Sequence, residues 1–125
     1  METLRIEATK YTPKIILDIN GAISFVGKSY PENSYEFYSP VLSWIKKYFE
    51  GSCSNETIID LNITYLNSTS SKVFFSIFTL FDEFKENNKI KINWICDSEN
   101  ESAEEFGNDF IEDFPDLDIE IVIVN

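Results

Sequence analysis

Histidine is missing from this 125-residue sequence. That removes the commonest general base and metal ligand together. Cysteine is nearly missing. Cys53 and Cys96 stand far apart, which is neither a disulfide framework nor a zinc spacing. Cys96 ends a strand-like run and reads as a buried thiol. No apolar run approaches membrane-spanning length. Met1-Glu2-Thr3-Leu4-Arg5 opens directly into alternating structure, not into a signal peptide. A reducing cytoplasm is therefore the expected compartment, with no membrane insertion. Positive charge is scarce as well: ten Lys and Arg stand against 22 Asp and Glu, a net charge of −12. No Lys or Arg follows Lys91, while ten acids lie from Asp97 to Asp118. Such a chain repels nucleic-acid phosphates and anionic lipid, and it suits partners with basic faces. The acidic run itself reads first as a solvated face. With four glycines and four prolines there is no P-loop, no Gly-rich dinucleotide turn and no linker.

What the sequence has is apolar and aromatic material in periodic order. Aromatics make up 15% of it, with eleven Phe. A chain of this length reads as one domain, residues 1–125, that buries roughly two thirds of its unfolded surface. Leu4, Ile6 and Ala8 alternate with polar residues as a half-buried strand. Ile15, Leu17 and Ile19 alternate next, then Asn20-Gly21, then Ile23 and Phe25. This predicts a hairpin from Lys14 to Lys28, because both turn residues tolerate positive φ. Pro31 suits the first position of a helix carrying Phe37, Val41, Leu42, Trp44, Ile45, Tyr48 and Phe49. Pro40 predicts a break or kink near Ser39, and Gly51 ends the run.

Thr57 to Tyr65 reads as a strand, with Ile59, Leu61, Ile63 and Tyr65 on one face and Asp60, Asn62 and Thr64 on the other. Val73 to Phe84 is apolar at helical spacing. Ile90, Ile92 and Trp94 form the next strand. An acidic helix with Phe106, Phe110 and Ile111 as its stripe follows, and Ile119, Ile121 and Ile123 form a last strand. The second half thus reads strand–helix–strand–helix–strand, which gives parallel strands with right-handed crossovers. Nearly every strand has one apolar and one partly polar face. The expected fold is α/β: a mixed sheet of about six strands with three main helices on one face. Asp18, Asp60, Asn62, Asn93 and Glu120 should lie on the other.

Few residues invite chemistry. No acid pair stands where burial would clearly raise its pKa. Asp97 to Glu101 carries alternate oxygen ligands but lacks the glycine and distal glutamate of a calcium loop. No catalytic residue, cofactor or metal is assigned, and a binding or switching protein fits better than an enzyme. The stretch that stands out is Asn67-Ser68-Thr69-Ser70-Ser71-Lys72, where a strand hands over to a helix. Four hydroxyls there can cap the helix. The sharper alternative is that they accept a phosphate, which a helix N-terminus favours. Ser71 or Lys72 stands at the expected capping-box position, where an acid would compete for the same N–H groups.

Several stretches together resemble the SiaC family of bacterial regulatory phosphoproteins. They are Thr12-Pro13 before a strand containing Asp18, then Gly21, Gly27-Lys28-Ser29-Tyr30-Pro31-Glu32-Asn33, Tyr38, Pro40, Trp44 and Tyr48. Tyr65 to Lys72 and Trp94 continue the match over nearly the whole chain. The resemblance implies a fold like the STAS domains of anti-sigma factor antagonists, and partner switching. It implies a Ser/Thr kinase that phosphorylates the protein and a metal-dependent PPM-type phosphatase that reverses it. It further implies that the unmodified form binds and activates an effector, a diguanylate cyclase in the members that define the family. The implied acceptor is Ser68, with Thr69 and Ser70 as neighbouring choices. Asn67, Ser71, Lys72, Tyr30, Pro31 and Glu32 are the candidate partner contacts. The competing reading is a constitutive adaptor in which the hydroxyls only cap the helix.

Overall fold

A computed structural model describes residues 1–51 and 56–125, so Cys53 lies outside the described residues. One six-stranded sheet runs in the order β1 (Leu4–Ile6), β2 (Lys14–Leu17), β3 (Ala22–Ser29), β4 (Glu56–Leu66), β5 (Lys89–Asp97), β6 (Ile119–Val124). β1, β2 and β3 pair antiparallel, and β3 to β6 pair parallel. The helices α1 (Ser34–Glu50), α2 (Ser68–Phe84) and α3 (Glu101–Asp113) make the three crossovers. Each crossover moves one strand further in the same direction. Right-handed connections of that kind leave all their helices on one face.

The burial pattern agrees. Ile15, Leu17, Ile23, Phe25, Ile59, Leu61, Ile92 and Trp94 are almost fully enclosed, and they pack with Tyr38, Ile45, Phe74, Ile77 and Phe78 from the helices. On the far side Val26 and Ile58 are exposed. There Ser24, Asp60, Asn93 and Glu120 share one row across the sheet, and Asn93 Nδ2 donates to Asp60 Oδ1 at 2.9 Å. Trp94 is wholly buried, and its indole N–H donates to Ala103 O at 2.8 Å. A side chain at Gly107 would strike that ring, since a Cβ there would lie 2.5 Å from Trp94 Cδ1. This close approach is how α3 settles on the sheet.

Five local expectations need correction. The 18–21 turn is not built on two residues of positive φ; only Gly21 is, at 99°. Asp18 accepts the Asn20 N–H on its carboxylate, and Gly21 N–H returns to Asp18 O. That side-chain bond favours a three-residue loop, which lifts Ile19 off the strand and exposes it. Ala8 lies beyond the end of β1. Pro31 is not in α1, whose cap is Asn33, with Oδ1 accepting from Glu36 N–H. Pro40 does not break the helix, which runs through it to Glu50. Only one intrahelical bond is lost there, and Tyr38, Val41 and Ile45 on the same turns are fully buried. Finally, Tyr65 points outward and Leu66 inward. The β3–β4 register shifts between Gly27 and Lys28, so Thr64 is the extra residue and the alternation changes phase beyond it. Gly27 holds φ +132° there, and a Cβ would meet the Pro13 backbone at 3.3 Å.

Candidate phosphoacceptor and partner-docking site

The bulge at Thr64 decides how β4 ends. Leu66 turns into the core, and the Asn67 N–H donates to Ser29 O at 3.0 Å. This ties the end of β4 to the end of β3. Asn67 is then the N-cap of α2, with Oδ1 accepting from Ser70 N–H at 2.8 Å. The cap is therefore not one of the hydroxyls, and the position opposite it in a capping box is Ser70 rather than Ser71 or Lys72. Ser68 and Thr69 open the helix, and their N–H groups are the ones the helix itself cannot use. No acid stands in this first turn.

The four hydroxyls have different surroundings. Ser68 and Thr69 are exposed, Ser71 is half-buried and Ser70 is fully enclosed. Ser71 Oγ donates to Ser68 O at 3.0 Å. Ser70 belongs to a chain of side chains that sequence reading does not find. Tyr38 Oη lies 2.6 Å from Ser29 Oγ, Ser29 Oγ lies 2.8 Å from Ser70 Oγ, and Ser70 Oγ lies 3.2 Å from Ser34 Oγ. Ser34 Oγ lies 2.8 Å from Thr69 Oγ1, which donates to Asn67 Oδ1 at 3.3 Å.

Counting protons fixes the direction. A hydroxyl donates once, and the Asn67 oxygen only accepts. Thr69 gives its proton to Asn67, so Ser34 must give its own to Thr69. Ser70 then gives to Ser34, Ser29 to Ser70, and Tyr38 to Ser29. The chain runs one way, from the body of α1 to the cap of α2, and ends on the oxygen that also holds Ser70 N–H. Ser68 stands outside it. Burial drives the Tyr38 phenol far above its ordinary pKa. The missed residues left a weak trace: Ser34 and Tyr38 are four apart on one helix, and Ser29 ends a strand on the same side.

The candidate contacts fall on two sides of this junction. Tyr30 stacks edge-on with Tyr65 at 5.8 Å and with Tyr11 at 5.2 Å. Tyr30 N–H donates to Tyr11 O, which holds the 9–12 turn against the end of β3. Tyr11 and Tyr65 are each half exposed. With the exposed Glu32, Tyr11 and Tyr30 line a shallow cleft of about 360 Å³. Pro31 is buried beneath, so it shapes the loop and offers little to a partner. Asn67 is committed to its cap. On the other side Ser71 and the exposed Lys72 join Phe75, Phe106, Asp109 and Asp113 around a groove of about 280 Å³. Asn100 Nδ2 donates to Thr64 O, tying the start of α3 to the bulge.

Among the described residues no group of three or more Cys, Asp or Glu is placed to hold a metal ion. None of the described helices is long and apolar enough to cross a membrane. Cys96 is a free buried thiol, raised in pKa first by that burial. What stands out is an exposed hydroxyl at a capped helix start, flanked by tyrosines and an apolar groove. It sits on a small α/β domain of six strands and three helices. The chain belongs to the SiaC family of regulatory phosphoproteins, whose family model matches residues 6–124. It is similar to SiaC of Pseudomonas aeruginosa, with a TM-score of 0.89 and 30% identity over 99% of this chain and 100% of that one. It is equally similar, at TM-score 0.89 and 32% identity over 97% and 99% of the two chains, to a chain in the crystal structure of the diguanylate cyclase SiaD in complex with its activator SiaC from the same organism. A protein of uncharacterised function from Pseudomonas aeruginosa strain UCBPP-PA14 is 35% identical over 116 residues, 90% of each chain.

Proposed function

We propose that this chain is a cytoplasmic partner-switching regulator whose unmodified form binds and activates a diguanylate cyclase. In this reading a Ser/Thr kinase phosphorylates Ser68 and a PPM-type phosphatase restores it. The observation that carries the reading is the position of Ser68: exposed, first in α2, outside the buried hydroxyl chain, and relieved of capping by Asn67. Phosphate there adds about −1.5 to −2 charges. The helix start tolerates that charge, because free N–H groups and the macrodipole favour an anion. A partner packed on the same hydroxyl would have to desolvate it. Modification therefore changes binding and leaves the fold alone. Thr69 is exposed but donates to the cap, and Ser70 is enclosed, so each is reached only by disturbing the chain. The known complex of the related SiaC with a diguanylate cyclase supports the same class of effector here.

The test is phosphosite mapping after incubation with the cognate kinase, followed by binding and stimulation of the cyclase by both forms. One phosphate on Ser68, with loss of binding, is expected. Phosphate confined to residues outside 68–71, or equal binding by both forms, would leave a constitutive adaptor.

A further inference from the structure

β6 is the outer strand of the parallel half of the sheet, and its edge is unprotected. Ile92 N–H donates to Asp118 O, and Ser98 N–H donates to Val124 O. In a parallel ladder alternate residues face the neighbouring strand, so Asp118, Glu120, Val122 and Val124 turn their backbone groups toward β5. Ile121 and Ile123 turn theirs outward. The strand has neither Pro nor Lys, and its pairing to β5 runs in continuous register without a bulge. These are the usual means of blunting an edge. Ile123 and Val124 are 46% and 42% exposed. The opposite edge, β1, is only three residues long and carries Arg5.

Charge says what would cover this edge. α3 packs on the inner face of β6 beside this edge, with Gly107 close enough that a Cβ would meet Ile121 Cδ1 at 2.6 Å. The helix carries six acids and no base. Phe106, Asp109 and Asp113 turn toward α2. Helical spacing puts Glu104 and Ile111 on the opposite flank, toward β6. Glu104 is near enough to Cys96, the register partner of Ile123, for its charge to act on that thiol. On the other face a single Lys91 serves both Asp118 and Glu120. A second copy added at β6 would bring two acidic helices together and be repelled. An extended segment bearing Lys or Arg would meet free backbone groups and opposite charge at once.

We infer that β6 is a docking edge for an extended, basic segment of a partner protein, which adds to the sheet as a seventh strand. The inference is independent of Ser68 and its modification. The probe is a ten-residue peptide alternating Val or Thr with Lys, titrated into the full chain and followed by backbone amide NMR. Two control peptides carry Glu for Lys, or N-methyl groups on alternate amides. The Lys peptide should shift the Ile121 and Ile123 amides and weaken at least about fivefold from low to physiological salt. The Glu peptide should not bind. N-methylation of the edge that pairs should weaken binding about tenfold, as should Ile123→Pro, which removes an N–H the β5 ladder does not use. The peptide control decides the matter even if Ile123→Pro fails to fold. Equal binding of the Lys and Glu peptides, or Lys-peptide shifts confined to α3, would overturn the inference. So would a dimer of the unmodified chain abolished by Ile123→Pro.

Discussion

The starts of α2 and α3 are built alike and equipped differently. Each follows a parallel strand, and each is capped by an asparagine whose side chain accepts the N–H three residues on: Ser70 for Asn67, Ala103 for Asn100. In α3 the first turn carries Glu101 and Glu104. Those carboxylates already answer the positive end of the helix. In α2 the first turn carries hydroxyls and no acid. Its positive end is left with exposed, uncharged oxygens at Ser68 and Thr69. Capping gives both helices a fixed start. What fills the next four positions decides whether that start is finished or can be altered.

The difference can be broken from inside. Ser70→Asp places a charge where the residue is wholly enclosed. It should cost about 3–5 kcal/mol, because the carboxylate must leave water and break the Ser29–Ser70–Ser34 hydroxyl bonds, which outweighs what the helix start returns. Ser68→Asp, two residues earlier, should stay within about 0.5 kcal/mol of the parent. Urea unfolding of the pair separates an altered core from an altered surface. Similar losses for both would mean that Ser68 is not outside the chain.

Removing the caps sharpens the comparison. Asn67→Ala should cost about 0.5–2 kcal/mol and lie at the upper end, since its oxygen takes both Ser70 N–H and the Thr69 hydroxyl. Asn100→Ala should cost less, because its oxygen holds one N–H and its amide bonds a single exposed carbonyl. Thermal unfolding of the two variants gives the order.

Alkali tests the hydroxyl chain, which α3 lacks. Tyr38 keeps its proton far above its ordinary range because it is buried. Its folded-state pKa is raised, so its contribution to stability is complete below the ordinary tyrosine pKa. It is lost as pH rises from there toward the folded value, at up to about 1.4 kcal/mol per pH unit. Stability measured from pH 9 to 11 should fall more slowly in Tyr38→Phe than in the parent, which starts higher.

The smallest effect on stability is also the one with the largest consequence for switching. Ser68→Ala should unfold within about 0.5 kcal/mol of the parent, since the cap is Asn67 and not Ser68. It should nonetheless accept no phosphate from the kinase by mass spectrometry. A loss of 1 kcal/mol or more, with phosphate uptake unchanged, would give Ser68 a capping role and move the acceptor to another hydroxyl.

Much of this frame was legible in the residues. One-sided alternation and the strand–helix order of the second half led to the sheet, its parallel part and the helical face. The family-like stretches 27–33 and 65–72 include Ser29 and Ser70, two members of the hydroxyl chain. The errors came from places where two causes compete. Asn, Ser and Thr are near equals as caps, and only the bulge at Thr64 decides that Leu66 turns inward and Asn67 takes the part. The same bulge reverses Tyr65, which periodicity alone puts inside. The Tyr38–Ser29–Ser70–Ser34 chain joins residues up to 41 apart in sequence, and no local pattern announces that.

The strand order also bears on time. Each strand pairs only with its predecessor and its successor, so the sheet can be laid down in the order in which the chain is made. Every closure spans a single connection, and none waits on a distant segment. The hydroxyl chain draws only on residues 29–70. Its partners all exist before β5, α3 and β6 are synthesised. The junction between β4 and α2 can thus close on a growing chain, while β6, the last strand to arrive, leaves its edge as the final open seam.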